Sequence, residues 1–261
     1  MTAVLQARPT VAGSSAVDAH AAVAVDDAGR LVTLRSCGPL QLRPGRAGSP
    51  MVRLATGTGG PLLGDSWCLD LDVGRGACLV LRAVAASVAL PGRETASATY
   101  SQFAIHARVA SGGWLDVDLG PTVAADGAVH HQELTLDVEA GGGARWREEL
   151  VLGRHGERGG VLKTRMDVRV DGHPLLRHRL LLDPDNIAGA AATTAGARVL
   201  PSELLVGGAA ARGGGYEVAL HPTAPAVRLP LAGPGWLATS LANDVPTARR
   251  WMATVLPGPA G

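Results

Sequence analysis

Most of the residues in this chain that could do chemistry can be set aside on spacing. The run His130-His131-Gln132-Glu133 has the donor types of a metal site. Adjacent residues on a strand point to opposite faces, so the run is expected to be an exposed strand start rather than a ligand set. No three histidines share a spacing that closes a zinc site, and no His-x-His with a downstream Glu offers a cupin-type centre. Gly64-Asp65-Ser66-Trp67-Cys68 lacks the final glycine of a nucleophile elbow. Gly57-Thr58-Gly59-Gly60-Pro61-Leu62 starts like a dinucleotide loop, but Leu62 stands at the third glycine position. The only lysine, Lys163, follows Leu162, which excludes a P-loop; any nucleotide hydrolysis must come from a partner. No acid/base dyad emerges from spacing. The richest segment is Arg147 to Gly160, where the apolar run Leu150-Val151-Leu152 stops at Gly153 and a loop carrying Arg154, His155 and Glu157 follows. Glycines at 153, 156, 159 and 160 allow positive φ there. On its residues alone this is a strand followed by a charged turn.

Bulk properties narrow the class. The 24 basic and 23 acidic residues leave a net charge of +1, which lacks the clustered positive charge of a nucleic-acid footprint. A chain of 261 residues fits one larger all-β domain or two small ones. Cys37, Cys68 and Cys78 are odd in number and form no C-x-x-C pair, a poor pattern for zinc or for disulfides and one that suits a reducing compartment. No apolar run reaches the roughly 18 residues of a membrane span. Asp18, Asp26 and Asp27 interrupt the segment where a signal peptide would be apolar, so a cytoplasmic location is expected.

The elements that must position these residues have a period of two. Leu69, Leu71 and Val73 alternate with Asp70 and Asp72; Phe103 to Val109, Leu115 to Leu119, Leu134 to Val138 and Met166 to Val170 behave alike. Such alternation puts apolar side chains on one face of a strand. Asp171-Gly172 between two such runs is a tight-hairpin signal. A valine-ended strand, a glycine turn and a new strand recur at Val73-Gly74-Arg75-Gly76-Ala77, at Val109-Ala110-Ser111-Gly112-Gly113-Trp114 and, more loosely, from Val138 to Trp146. The expected fold is mainly β, with stacked, solenoid-like layers whose turns line up. Ala188 to Ala197 is expected to be a loop. A helix near 246–256 is expected from Asp244 as cap, Pro246 in the first turn and Ala248, Trp251, Met252 and Val255 at helical spacing; Trp236, Leu237 and Leu241 are expected to form a second apolar face upstream. The domain is drawn as residues 21–256, with tails at 1–20 and 257–261.

Several segments together resemble one family. Thr56 to Asp65 is similar to the glycine-rich, Gly-Asp-ending turn of the urease accessory proteins called UreD, or UreH in some bacteria. The alternating strand Leu69 to Val73, the turn through Ala77 and its second copy follow in family order. So do Pro121-Thr122, Asp126-Gly127-Ala128, Glu148-Glu149-Leu150-Val151-Leu152-Gly153-Arg154, Asp171-Gly172-His173-Pro174-Leu175-Leu176 and a terminal helix after Trp236-Leu237. The resemblance covers roughly residues 35 to 256. It departs at Ala83 to Leu90, where an apolar run replaces the polar strand usual in the family, so the chain resembles a divergent member.

The resemblance implies a non-catalytic scaffold that binds apo-urease with the helical protein UreF and the GTPase UreG and helps to deliver nickel. It implies no tightly bound cofactor, only nickel in transit through an internal passage, and no nucleic-acid or membrane partner. Oxygen donors suit such a passage because they release nickel more readily than imidazole or thiolate. Asp65, Glu148 and Glu149 match acidic positions of the family segments and are the candidates for that route, the other reading of each being a capped turn or a solvated strand face. Trp251 and Met252 are candidates for a partner interface if exposed, and core residues otherwise. The competing classes are a β-sandwich binding module and a structural β-layer protein; the five scattered tryptophans offer no obvious sugar platform.

Overall fold

The computed structural model describes residues 16–46, 48–92, 99–186, 194–208, 216–221 and 224–256. β1 (Asp18–Val25) and β2 (Leu31–Arg35) form one hairpin, and β3 (Leu40–Pro44) and β4 (Met51–Thr56) another. Three coils follow: β5 (Ser66–Val73) into β6 (Cys78–Ala83) and the short β7 (Ser87–Ala89), β8 (Ser101–Val109) into β9 (Trp114–Ala124), and β10 (Val129–Val138) into β11 (Gly143–Leu152). β12 (Val161–Val170) turns back into β13 (His173–Leu182). β14 (Val199–Gly207), β15 (Glu217–Ala219), β16 (Ala226–Pro230), β17 (Gly235–Ser240) and helix α1 (Val245–Val255) are the remaining described elements.

The strands lie in two sheets. Among the described residues, sheet A has seven strands in the order β13-β12-β10-β8-β5-β1-β2, and sheet B has ten, running β15-β16-β17-β14-β11-β9-β6-β4-β3, with β7 beside β9. The first strands of successive coils pair in parallel in sheet A, and their second strands pair in parallel in sheet B. The fold is therefore mainly β, built of stacked coils, as the alternation and the repeated turns imply. The turns stack as expected: Gly76 donates its amide to Ser111, and the Ser111 hydroxyl donates to the Ala140 carbonyl. Leu71, Ala107, Leu136, Leu81, Val117 and Trp146 face one another across the sandwich as part of its main core. At the predicted hairpin, Asp171 and Gly172 take φ of 54° and 77°, the left-handed pair that matches strand twist in a two-residue turn.

Three expectations need correction. The N-terminal tail drawn to residue 20 ends earlier, because β1 starts at Asp18: the Asp65 carboxylate accepts the Val17 amide, and Ser66 donates to the Val17 carbonyl. The Ala83 to Leu90 run is not one strand. β9 carries a bulge at Gly120, φ 62°, so β6 pairs it only as far as Asp118 and β7 resumes at Thr122. Trp236 and Leu237 do not share one apolar face, because they are neighbours in strand β17; Trp236 looks toward α1 and Leu237 toward the main core. Residues 188–193 of the expected loop, and both outer tails at 1–15 and 257–261, lie outside the described residues. Thr194 to Ala197 form a turn closed by the Ala197 amide on the Thr194 carbonyl.

The C-terminal helix is where the sequence put it. Asp244 caps it, accepting the Thr247 amide at 2.8 Å, and Pro246 occupies its first turn. The helix covers the outer face of sheet B, burying Ala248, Met252 and Val255 against Leu205, Trp236, Ala238 and Ala242. β14 is consequently buried on both faces, with Leu204 and Val206 inside the sandwich and Leu205 under the helix.

Candidate functional site

The interior of the sandwich is apolar at both ends and polar between them. The inward positions of β11 read Ala144, Trp146, Glu148, Leu150, Leu152; those of β12 read Leu162, Thr164, Met166, Val168; those of β14 read Leu200, Ser202, Leu204, Val206. Their apolar members split into the main core and a smaller cluster around Leu150, Leu152, Leu162, Leu182 and Leu200. Between the two lies a belt of buried polar side chains: Thr122, Gln132, Glu148, Thr164 and Ser202. In register, Gln132 stands beside Thr164 and Glu148 beside Ser202.

Gln132 joins the two sheets. Its amide oxygen accepts from Thr122 Oγ1 at 3.1 Å, and its nitrogen donates to Glu148 Oε2 at 2.8 Å. Burial pushes the Glu148 carboxyl up to about 7, and the hydrogen bond from Gln132 only partly opposes this. Near neutral pH the group can therefore hold or release its proton. Next to Gln132 on the same face, His130 meets the Ser101 hydroxyl through Nδ1 at 2.9 Å. Burial, aided by the charge of His131, lowers His130 to about 4, so its imidazole is neutral.

The belt lies between two spaces. Thr122, His130 and Gln132 form the polar wall of an interior cavity of about 20 Å³, closed by Trp67, Phe103 and Leu119, which is room for about one water molecule. At its other end, Ser202 and Thr239, with His178, line a groove of about 390 Å³ between β13 and the β14–β16 side of sheet B. Ser202 belongs to both the belt and the groove. A polar path of hydroxyls, an amide, a carboxyl and an imidazole thus crosses an otherwise apolar interior.

The three acidic candidates occupy different places. Glu148 is in the belt. Glu149 points to the opposite face of sheet B, where Arg249 of α1 clasps its carboxylate through both Nε and a terminal nitrogen, Nε lying 2.8 Å from Oε2. Asp65 is buried at the N-terminal end of β5, level with Ser101 and His130 across the strands, but both of its oxygens accept backbone amides, of Val17 at 2.8 Å and Leu62 at 3.0 Å. The outer face around Glu149 forms a groove of about 370 Å³ in which Arg145 pairs with Glu203 and Arg147 with Asp116 and Asp118. Met252 is buried under the helix, and Trp251 is half-buried, its ring 4.6 Å from that of His221. The loop after Gly153 is tied to itself: Glu157 accepts from Arg154 and from the Asp126 amide, and these bonds hold its carboxyl down at about 2.

The run His130-His131-Gln132-Glu133 does open a strand, β10, as expected, but the expected exposure fails, since His130 and Gln132 are buried. The signal was available. Extending the alternation of Leu134, Leu136 and Val138 back by two and four residues puts Gln132 and His130 on the inner face. Thr122 and Ser202 gave no such signal, because the Gly120 bulge breaks the period in β9 and every residue of β14 is buried.

Parallel strands stacked in two sheets, flanked by antiparallel strands and enclosing a polar belt, define a β-rich fold built of stacked coils. The family model described as UreD urease accessory protein matches residues 15–257. The urease accessory protein UreD of Frankia alni is 40% identical, with 98% of this chain and 97% of that protein covered. That of Frankia casuarinae is 38% identical over 91% of this chain and 88% of its own length, and UreD 1 of Saccharopolyspora erythraea 40% identical over 85% and 86%. The chain belongs to the UreD family of urease accessory proteins.

Proposed function

We propose that this chain is a non-catalytic scaffold of urease maturation, which binds apo-urease together with UreF and UreG and passes nickel along its polar belt toward the urease active site. The observation that carries this reading is the buried line Ser202, Glu148, Gln132, Thr122 between an open groove and an interior cavity. Burying polar groups is unfavourable unless they are bonded, and an apolar layer of equal volume would serve stability better. Oxygen donors with a single carboxyl of intermediate acidity hold nickel weakly enough to release it. Glu148 takes the central part. Asp65 and Glu149, whose oxygens are engaged elsewhere, act in assembly of the passage rather than as ligands. GTP hydrolysis falls to UreG. The setting is the cytoplasm, in keeping with three unpaired cysteines; no helix among the described residues is long and apolar enough to cross a membrane.

The test is Glu148→Gln in cells carrying the urease genes. The variant should still assemble with UreF, UreG and apo-urease, while the urease recovered from those cells is nickel-poor. A urease with full nickel content would remove Glu148 from the route. Full urease activation at ordinary nickel levels in cells lacking this chain would sink the maturation reading altogether.

A further inference from the structure

On the outer face of sheet A, separate from the belt, four donor side chains converge from three strands. His20 of β1 stands beside Cys68 of β5, and Asp70 of β5 beside His106 of β8, in the register of adjacent parallel strands. Asp70 lies between the two histidines: Oδ2 is 2.5 Å from His20 Nε2, and Oδ1 is 3.2 Å from His106 Nδ1. Cys68 Sγ is 3.8 Å from Asp70 Oδ1 and 3.7 Å from His106 Nδ1. His20, Cys68 and Asp70 also have donor atoms within 4.8 Å of one another.

The separations among Cys68, Asp70 and His106, 3.2–3.8 Å, are close to those of ligands around one ion, and the hydrogen bond between His20 and Asp70 is replaced when an ion binds. Tetrahedral bonds of about 2.0 Å to nitrogen or oxygen and 2.3 Å to sulfur put neighbouring donors roughly 3.3–3.6 Å apart. A cysteine-based catalytic triad does not fit: it needs the thiol and the carboxylate on different nitrogens of the imidazole, whereas both approach His106 Nδ1. A plain His–Asp ion pair leaves the thiol unexplained. The spacing of cysteines in the sequence concealed the cluster, because the His20–Asp70 and Asp70–His106 contacts join positions 50 and 36 residues apart.

We propose that His20, Cys68, Asp70 and His106 form a surface site for a divalent transition metal, Ni(II) or Zn(II). A thiolate and imidazoles favour such ions over Mg(II) or Ca(II), which require oxygen ligands. Cys68 gives up its thiol proton as the ion binds. The histidine side chains are 53% and 57% exposed, so the ion enters from solvent and can leave to it. The site stands on its own geometry and does not depend on the passage through the interior.

The experiment is titration of the reduced full-length protein with Co(II) as a spectroscopic substitute. The wild type should develop a thiolate-to-cobalt charge-transfer band with visible bands of tetrahedral intensity, and Zn(II) or Ni(II), but not Mg(II), should displace the cobalt. Cys68→Ser should abolish the charge-transfer band, and His106→Ala should weaken binding at least about tenfold. Cys37→Ser and Cys78→Ser should leave the spectrum unchanged. Thermal unfolding with a chelator present checks that each variant is folded. No charge-transfer band in the wild type, or one that survives Cys68→Ser, would overturn the proposal, whatever the outcome for urease.

Discussion

Glu149 and Arg249, one hundred residues apart, lock helix α1 onto sheet B through a two-pronged ion pair whose carboxylate is buried. Removing the arginine leaves that carboxylate without its counter-charge, which costs more than losing a surface pair. Arg249→Ala is expected to destabilise the protein by about 1–3 kcal/mol and to speed amide exchange across 245–255. A double-mutant cycle with Glu149→Ala checks this: near-additive effects would show that the two residues do not act as a pair.

Glu148 gives a pH signature. Its carboxyl, ordinarily near 4.5, is held at about 7 in the fold. Between those values the folded state binds the extra proton, so this group makes stability fall as pH rises, with no further change above about 7. His130, ordinarily at 6.5 and lowered to about 4, does the reverse: the unfolded chain binds the extra proton, so stability rises with pH across that span. The two slopes oppose each other in the wild type. Glu148→Gln should expose the His130 slope and be the more stable protein at alkaline pH, by on the order of 3 kcal/mol. Urea unfolding at pH 4.5 and 8 checks it; an unchanged difference between variant and wild type at the two pH values would be the contrary result.

Trp251 of α1 packs half-buried against His221. Trp251→Ala is expected to lower stability by roughly 2–4 kcal/mol, somewhat less than the full deletion of a buried aromatic. Thermal unfolding measures it directly. A variant with unchanged Tm that fails to bind UreF would instead make this ring a partner contact.

Gly60 has φ 120°, and a methyl group there would lie 1.8 Å from the Val88 carbonyl oxygen. Backbone cannot yield as a flexible side chain does. Gly60→Ala is expected to disconnect β7 from the turn that precedes β5 and to cost several kcal/mol, seen as a lower urea midpoint.

Leu220 and Tyr216, 84% and 67% exposed beside the edge strand β15, make an apolar margin that a partner would cover. Leu220→Ser with Tyr216→Ser should raise the solubility of the chain expressed alone and reduce its recovery with co-expressed UreF. Equal recovery with UreF would remove this edge from the interface.

The fold was legible because period-two alternation survives in nearly every strand and because Asp171-Gly172 and the repeated glycine turns mark reversals that side-chain chemistry dictates. Helix α1 was legible from Asp244 and Pro246. The site was only partly so. Adjacent glutamates are necessarily divided between the faces of a strand, but nothing in Glu148-Glu149 says which one faces inward; that depends on Trp146 and Leu150 joining the interior on either side. Gln132 follows from alternation, yet its bonds to Thr122 and Glu148 need the facing sheet, which no local pattern supplies. The His20–Cys68–Asp70–His106 cluster arises from strand register, a long-range property.

Where each parallel stack ends the direction of the chain reverses: β2 runs against β1, β13 against β12, β3 against β4 and β14 against β11. Each reversal halts the parallel stack, because the next coil would meet a strand running the wrong way. Length in this architecture therefore comes in whole excursions, out along one sheet and back along the other. A relative can gain or lose a complete excursion, whereas a lone inserted strand would leave one sheet a step ahead of its opposite and throw Gln132 and Glu148 out of reach of each other.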